Sequence, residues 1–539
     1  MIQFDMNKHP YPVQRQAIVA KNGMVSTGSS LASAVGLQIL QKGGNAIDAA
    51  IATAAALTVV EPTANGIGSD CFAIVWIKDK LYGLNASGYA PKDCTISQVF
   101  KKHGEVDIMP KFGWTPITIP GSPKGWAALN QRWGLLSLEE CLAPAIEYAT
   151  NGFPVSSSLA YFWQKAFEQN YQSLQNQEEY QEWFNTFTFD GQLPKVGQII
   201  TLPNHAKSLL SIAKTNSDSF YKGEIAHQIV LESQKHQGFI SYEDLASYEV
   251  EWVDPIRINY RGYDICEIPP NGQGLVALLG LNILKNFTFD TNSSVDTLHK
   301  QFEATKIAFK EGLDYITDLS CMKVSYHDLC SEDEGKKKAT WIKENASTYE
   351  ILKPAKAGTV YLATADKWGN MVSFIQSNYS GFGSGIVIKD TGISMQNRGS
   401  DFSLDKNHPN VLTGRKKTYH TIIPGFILKD NQPVGPIGVM GGYMQPQGHI
   451  QVVMNMIDFH MNPQMALDAC RWQWIKENTF HVEPGFSEEV IEQLREKGHI
   501  VEVSDDFGSF GRGQIIVRNH DGVYIGGCDS RTDSNIACY

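Results

Sequence analysis

Several common signatures are missing from this chain of 539 residues. There is no Cys-x-x-Cys pair, and the nine cysteines are scattered, the closest two being Cys321 and Cys330. That distribution fits reduced thiols in a cytoplasmic protein. There is no His-Glu-x-x-His and no Gly-x-Ser-x-Gly, so the usual zinc-protease and serine-hydrolase signals are absent. No run of about 18 apolar residues occurs, so no membrane span is expected. The start, Met1 to Lys8, lacks an apolar h-region, and no secretory signal is expected. Positive charge is in deficit: the net charge of -11 argues against a general nucleic-acid binder. No internal repeat is visible.

What is present indicates a globular protein. Apolar residues make up 42% and charged residues 19%, enough for an ample core. The length suits several ordinary domains or one large interlocked one. Residues 1–22 read as an irregular arm. Ser30 can cap a helix that Gly43-Gly44 ends, and Asn45 restarts a second, almost wholly apolar helix from Ala46 to Val60. That helix should be buried on most sides. The glycine-rich turn Asn65–Asp70 leads into a strand rather than a helix, which favours tight packing over phosphate binding. Residues 124–250 read as mainly helical. A helix near Ser294–Asp314 carries His299, expected on its surface or at a cap. The charged stretch Ser331–Ala357 reads as a solvated linker. Helices are expected at Gln447–Phe459 and Pro463–Trp472, with strands at Ile500–Val503 and Gln514–Val517.

The stretch Ala357–Ile386 organises the rest. Thr359 to Thr364 is rich in β-branched and aromatic residues, Asp366-Lys367-Trp368-Gly369-Asn370 is a turn cluster, and Met371 to Ile375 resumes the apolar run. This is a β-hairpin pattern. The small-residue step ahead of Thr359 suggests a cut between Gly358 and Thr359. A threonine hydroxyl is a poor nucleophile without a base, and a free α-amine can be that base. Its reference pKa of about 7.7–8.0 is well placed for the task. In an uncut chain the nitrogen is an amide and cannot take a proton. Gly441-Gly442 could supply backbone donors for an oxyanion.

The pieces together resemble the γ-glutamyltranspeptidase family of N-terminal nucleophile hydrolases, over nearly the whole chain. The resembling stretches are Gly43–Ala50, Pro120-Gly121-Ser122, Gly358-Thr359 with Asp366-Lys367-x-Gly369-Asn370, Phe382–Ile386, Asp401-Phe402-Ser403 and Gly441-Gly442. The resemblance implies an α+β fold, a four-layer αββα sandwich. It implies a precursor that cleaves itself into residues 1–358 and 359–539, two subunits interlocked in one domain. Thr359 matches the family nucleophile, and Ser377 a hydroxyl that hydrogen-bonds it. Gly441 and Gly442 match the oxyanion glycines. Asp401 matches an aspartate that holds a substrate ammonium in true transpeptidases.

The departures bear on the substrate. The family arginine that clamps a substrate α-carboxylate is matched by Ser87, which cannot make a bidentate charged contact. A serine pair holding the same carboxylate is replaced by His420-Thr421. The polar residue before Asp401 becomes Arg398, a cation that would repel an ammonium and welcome a carboxylate. The family asparagine near Ser377 is shifted to Asn378 or lost to Tyr379. Tyr443 is either pocket lining or core. Together with Gln396-Asn397-Arg398-Gly399, these features resemble the signal-less branch of γ-glutamyltransferase-like, cephalosporin acylase-like and oxamate amidohydrolase proteins.

The expected function is therefore a self-processing, cytoplasmic amidohydrolase acting on a small carboxylate-bearing amide, with Arg398 either holding the carboxylate or paired with a neighbouring acid such as Asp401, and His420 either a pocket wall or carboxylate donor or a core histidine. No metal or organic cofactor, nucleic acid or membrane partner is implied, and a dimer of heterodimers is an admissible assembly. A true γ-glutamyl hydrolase and an unprocessed relative with a binding role stay open as alternatives.

Overall fold

The computed structural model describes residues 15–349 and 358–539. The expected hairpin lies at its centre. Strand Gly358–Asp366 runs antiparallel to Met371–Tyr379. Asp366 shapes the turn between them. One carboxylate oxygen accepts the N–H groups of Trp368 (2.9 Å) and Asn370 (3.1 Å), and Gly369 takes the φ of 85° that closes the turn. The other oxygen accepts the N–H of Ala46 at 2.8 Å. Ala46 opens the helix Ala46–Val60, so one carboxylate both makes the hairpin and sits at a helix N-terminus, where negative charge is favoured. Asn45 completes that cap by accepting from Ile47 and Asp48, a device worth about 1 kcal/mol. Every residue of this helix is buried, as its composition requires.

Two seven-stranded antiparallel sheets carry the hairpin and its surroundings. In the first, Gly358–Asp366 lies between Gly23–Thr27 and Met371–Tyr379, followed by Asp70–Ile77, Lys80–Ala86 and Glu251–Val253, with Asn535–Cys538 at the far edge. The second runs Ile18–Ala20, Tyr524–Cys528, Arg512–Arg518, Gln432–Met440, Gly425–Lys429, Tyr263–Glu267, Ile256–Tyr260. Both sheets take strands from before and after Gly358. Side chains alternate across each strand. Tyr361, Ala363 and Ala365 pack with Phe426, Leu428 and Ile516 of the second sheet in one apolar cluster. Leu362 and Val372 join a cluster with the helix Ala46–Val60. On the second sheet, Ile437, Val439 and Ile515 pack with the helices carrying Leu278, Phe309 and Ile450.

Some expectations need correction. Residues 15–22 are not wholly irregular, because Ile18–Ala20 adds an edge strand to the second sheet. The stretch Ser331–Ala357 is not simply a solvated linker. Glu332–Ala339 is a helix with Ser331 as its cap, and Lys338 is buried 2.5 Å from Glu311. Its acid-first, base-last charge order suits a helix dipole; residues 350–357 lie outside the described residues. His299 is buried, not a surface or capping residue. The two helices expected at Gln447–Phe459 and Pro463–Trp472 run instead over Met444–Ile457 and Pro463–Asp468, and Trp472 opens a strand. Among the described residues, no helix is long and apolar enough to cross a membrane.

Candidate active site

Thr359 is buried at the end of its strand, where a bulge between Gly358 and Val360 breaks the ladder register. Its hydroxyl lies 2.7 Å from the Gly358 carbonyl oxygen and 3.0 Å from the Ser377 hydroxyl. Ser377 Oγ is also 2.7 Å from the Gly358 oxygen. Three contacts thus share two hydroxyl protons, since the carbonyl can only accept. Ser377 Oγ accepts the Tyr379 N–H at 2.8 Å, which fixes its remaining lone pair. Tyr379 pays for this with a φ of 74°, unusual for a bulky residue and the kind of strain found where function over-determines the backbone.

Gly358 and Gly441 line the same cavity of about 200 Å³, together with Thr63, Phe162, Lys165 and Arg512. Gly441 and Gly442 have φ of 138° and 59°, conformations that favour glycine. Their carbonyls accept the N–H groups of Met444 (3.0 Å) and Gln445 (3.1 Å) as the helix Met444–Ile457 begins. A helix N-terminus therefore lies just behind the pair, and its dipole favours anions. Gln273 Nε2 donates to the carbonyls of Gly442 (2.9 Å) and Thr421 (2.6 Å), which ties the glycines to the opposite wall.

That wall is built around Arg398, only 1% exposed and behind the residues that line the cavity. Its Nη1 donates to Thr421 Oγ1 at 2.6 Å and lies 3.5 Å from Asp401. The guanidinium sits over the Tyr379 ring at 4.0 Å, a cation–π contact. Tyr379 donates its hydroxyl to Asp401 at 2.5 Å. Among the described residues, Arg398 Nε and Nη2 have no hydrogen-bond partner. Burial pushes the Asp401 carboxyl up to about 6, against the pull of Arg398 and the Tyr379 hydroxyl.

His420 Nε2 is 3.0 Å from Asp70 Oδ2, and its ring packs on Phe72 with centroids 4.9 Å apart. Its Nδ1 faces the N–H of Ile422 at 3.4 Å, so the ring proton belongs on Nε2, donated to Asp70. Burial holds the imidazole well below its ordinary pKa, helped by the charges of Arg398 and Lys417. Burial likewise raises Asp70 to about 7, though Arg398 and the Gly121 N–H oppose it. Asp70 is paired with Ser377 across the first sheet, so His420 reaches the same strand ends as the hydroxyls. Tyr443 stacks on Tyr419 at 5.7 Å, and Tyr419 donates its hydroxyl to Gln273 (3.0 Å).

The structure thus brings together Gly358, Thr359, Ser377, Gly441, Gly442, Arg398, Asp401, His420, Thr421 and Tyr443. Two sequence candidates fall outside this set. Asn378 is turned away: Ser69 donates to its amide oxygen at 2.7 Å and its nitrogen donates to Ser394 at 2.9 Å. Ser87 donates to Asn85 at 2.7 Å and touches the site only through Asn271, whose carbonyl accepts the His420 N–H. The turn Asn65–Asp70 packs tightly, as expected: a Cβ on Gly68 would meet the Ser394 carbonyl at 2.4 Å. Sequence reading did not select Tyr379, Asp70 or Gln273. The available signal for Asp70 was a carboxylate opening an otherwise apolar strand, Asp70–Ile77.

Comparison with known proteins identifies the family. The gamma-glutamyltranspeptidase family model matches residues 32–539. The glutathione hydrolase-like YwrD proenzyme of Bacillus subtilis is 36% identical over 530 residues, 96% of this chain and 98% of that protein. The oxamate amidohydrolase proenzyme of Klebsiella pneumoniae is 32% identical over 533 residues, 97% of this chain and 99% of that protein. The crystal structure of cephalosporin acylase from Bacillus halodurans is 53% identical with a TM-score of 0.97, covering 100% of this chain and 99% of that one.

Proposed function

Because this chain belongs to the γ-glutamyltranspeptidase family, we propose that it is a self-processing amidohydrolase of αββα architecture whose substrate is a small amide with a carboxylate on its acyl part. Processing begins with Thr359 Oγ1 attacking the Gly358 carbonyl carbon. The C–N bond breaks, the acyl group passes to oxygen as an ester, and water cleaves that ester. Gly358 then ends one subunit and Thr359 begins the other with a free α-amine. Ser377, 2.7 Å from the Gly358 oxygen, polarises the carbonyl during this step.

In turnover the Thr359 hydroxyl attacks the substrate carbonyl and passes its proton to its own amine. The N–H groups of Gly441 and Gly442 hold the oxyanion, supported by the helix N-terminus behind them. The tetrahedral adduct collapses, the amine leaves with the proton, and water resolves the threonyl ester. Ser377 keeps the nucleophile oriented throughout.

One observation carries the choice of substrate: Arg398 is buried with two guanidinium nitrogens unpartnered among the described residues, over the ring of Tyr379, whose N–H caps Ser377. A planar donor with free edges suits a carboxylate. The reading is tested with a panel of carboxylate-bearing amides, from oxamate-type to dicarboxylic monoamides, with ammonia or amine release as readout. Turnover of one of these well above γ-glutamyl-p-nitroanilide supports it. Comparable turnover of the glutamyl compound overturns the substrate assignment, and Asp401 then holds the substrate ammonium. A single full-length band on a denaturing gel overturns the processing chemistry.

A further inference from the structure

We propose that His299, Glu303 and His499 form a binding site for one divalent transition-metal ion, Zn²⁺ by chemistry, built from residues that the hydrolytic site does not use. The three side chains are buried, and their candidate ligand atoms lie within 4.8 Å of one another. His299 and Glu303 stand one turn apart on the helix Val295–Tyr315, on one face. His499 comes from the segment between the helix Glu488–Glu496 and the strand Ile500–Val503. Two histidines and a carboxylate are an ordinary zinc donor set.

The protonation pattern suits this role. His299 Nε2 lies 2.8 Å from the Lys343 carbonyl oxygen. A carbonyl only accepts, so Nε2 carries the ring proton and Nδ1 presents a lone pair. A backbone carbonyl on the far nitrogen is the usual outer support of a metal-bound histidine. That lone pair faces His499 Nε2 at 2.8 Å. In the metal-free protein the His499 proton fills this contact, and among the described residues His499 Nδ1 is left buried without a partner. A metal ion takes the place of the shared proton, which moves to the idle Nδ1, so neutral His499 changes tautomer and no net proton is lost. Zn–N bonds of about 2.0–2.1 Å in a tetrahedral site put the two nitrogens roughly 3.3 Å apart. Ring rotation of a few tenths of an ångström achieves that.

Glu303 is shared with Lys306, whose ammonium is 2.6 Å from Oε1 and also donates to the Ser347 carbonyl and to Asn478. Among the described residues Glu303 Oε2 accepts only a long 3.3 Å contact from the Ser347 N–H, and is the oxygen available to the metal. Lys306 is thus a built-in competitor. The site also joins both sides of the cut: His299, Glu303 and the segment Lys343–Ser347 precede Gly358, and His499 follows it. This bridging rests on the processing reading above, whereas metal binding does not.

The test uses the full chain, dialysed against a chelator and titrated with Zn²⁺ by calorimetry. One equivalent should bind, and Co²⁺ in its place should give the visible absorption of a nitrogen-ligated tetrahedral ion. The double variant His299→Gln/His499→Gln should lose at least about 100-fold in affinity. Lys306→Met should bind about tenfold more tightly, an effect that a merely structural cluster does not predict. The uncut Thr359→Ala chain should bind as well as the cut protein, and chelation should lower the melting temperature of the cut form more. No stoichiometric Zn²⁺ binding, a Co²⁺ complex without those bands, or unchanged affinity in the double variant overturns the proposal. Equal melting losses in cut and uncut forms overturn the bridging alone.

Discussion

The two walls of the site differ in what they leave unspent. Around Thr359 the hydrogen bonding closes on itself: two hydroxyls and the Gly358 carbonyl contact one another, and the Tyr379 N–H caps Ser377. Around Arg398 it does not close. One nitrogen donates to Thr421 and lies 3.5 Å from Asp401, while among the described residues Nε and Nη2 are buried without partners. Leaving buried donors idle costs about 1–3 kcal/mol each, more for a charged group. The reacting wall is completed by the fold alone, whereas the recognition wall, on the function proposed above, is completed by the substrate carboxylate. The chemistry and the specificity can therefore be broken separately.

Thr359→Ala is expected to have the largest effect. Both scission and turnover should fall at least about 10⁴-fold, as for loss of a nucleophile acting within a unit. A denaturing gel and amine release measure the two. Arg398→Met comes next and should act on one wall only. It should still cut, yet lose about 2–5 kcal/mol in kcat/KM, chiefly through KM, because a buried charge partner is gone. An Arg398→Met chain that fails to cut would merge the two walls and end the distinction. Ser377→Ala should slow cutting and turnover alike, by roughly 10–100-fold, the worth of about 1–3 kcal/mol for one buried hydroxyl. If it moves only KM, Ser377 belongs to recognition.

The same contrast explains what could be read from sequence. The hairpin, its Asp366 turn and the Asn45 cap are local features: each depends on residues within a few positions, and each appears where its pattern stands. The Thr359–Ser377 pairing follows because both residues belong to that one hairpin. The recognition wall is assembled from Asp70, Arg398 and His420, up to 350 positions apart. Pairing Arg398 with Asp401 was foreseeable from their three-residue spacing. The His420–Asp70 contact was not, since only the sheet register brings Asp70 opposite Ser377. Asn378 and Tyr379 show the limit most clearly. Neighbours in a strand face opposite sides, and only the structure decides that the tyrosine enters the site and the asparagine is tied to Ser69 and Ser394. His299 was misplaced for a related reason: its partner His499 lies 200 positions away.

The smallest expected effect tests whether Arg398 is tuned by its neighbour. Burial raises Asp401 to about 6. Below that pH the carboxyl is neutral and Arg398 offers its full charge to a substrate carboxylate. Above it the carboxylate 3.5 Å away competes. KM should therefore rise about three- to tenfold as pH increases through 6, on the scale of one pKa unit or less, and Asp401→Asn should flatten the rise. His420 cannot supply this transition, because it stays neutral well below its ordinary range. Stability gives an independent reading with a definite sign. A carboxyl whose folded pKa exceeds its unfolded value of 3.8 binds more protons when folded, so its contribution to stability falls as pH rises from about 4 to 6. Asp70, raised to about 7 by burial, extends that fall by a further unit. Asp401→Asn should make the decline in melting temperature shallower between about pH 4 and 6 and leave the fall that Asp70 contributes from about 4 to 7. A KM rise that persists in Asp401→Asn would mean that Asp70 or the Thr359 amine sets the transition. The recognition wall would then not be electrically separate from the reacting one.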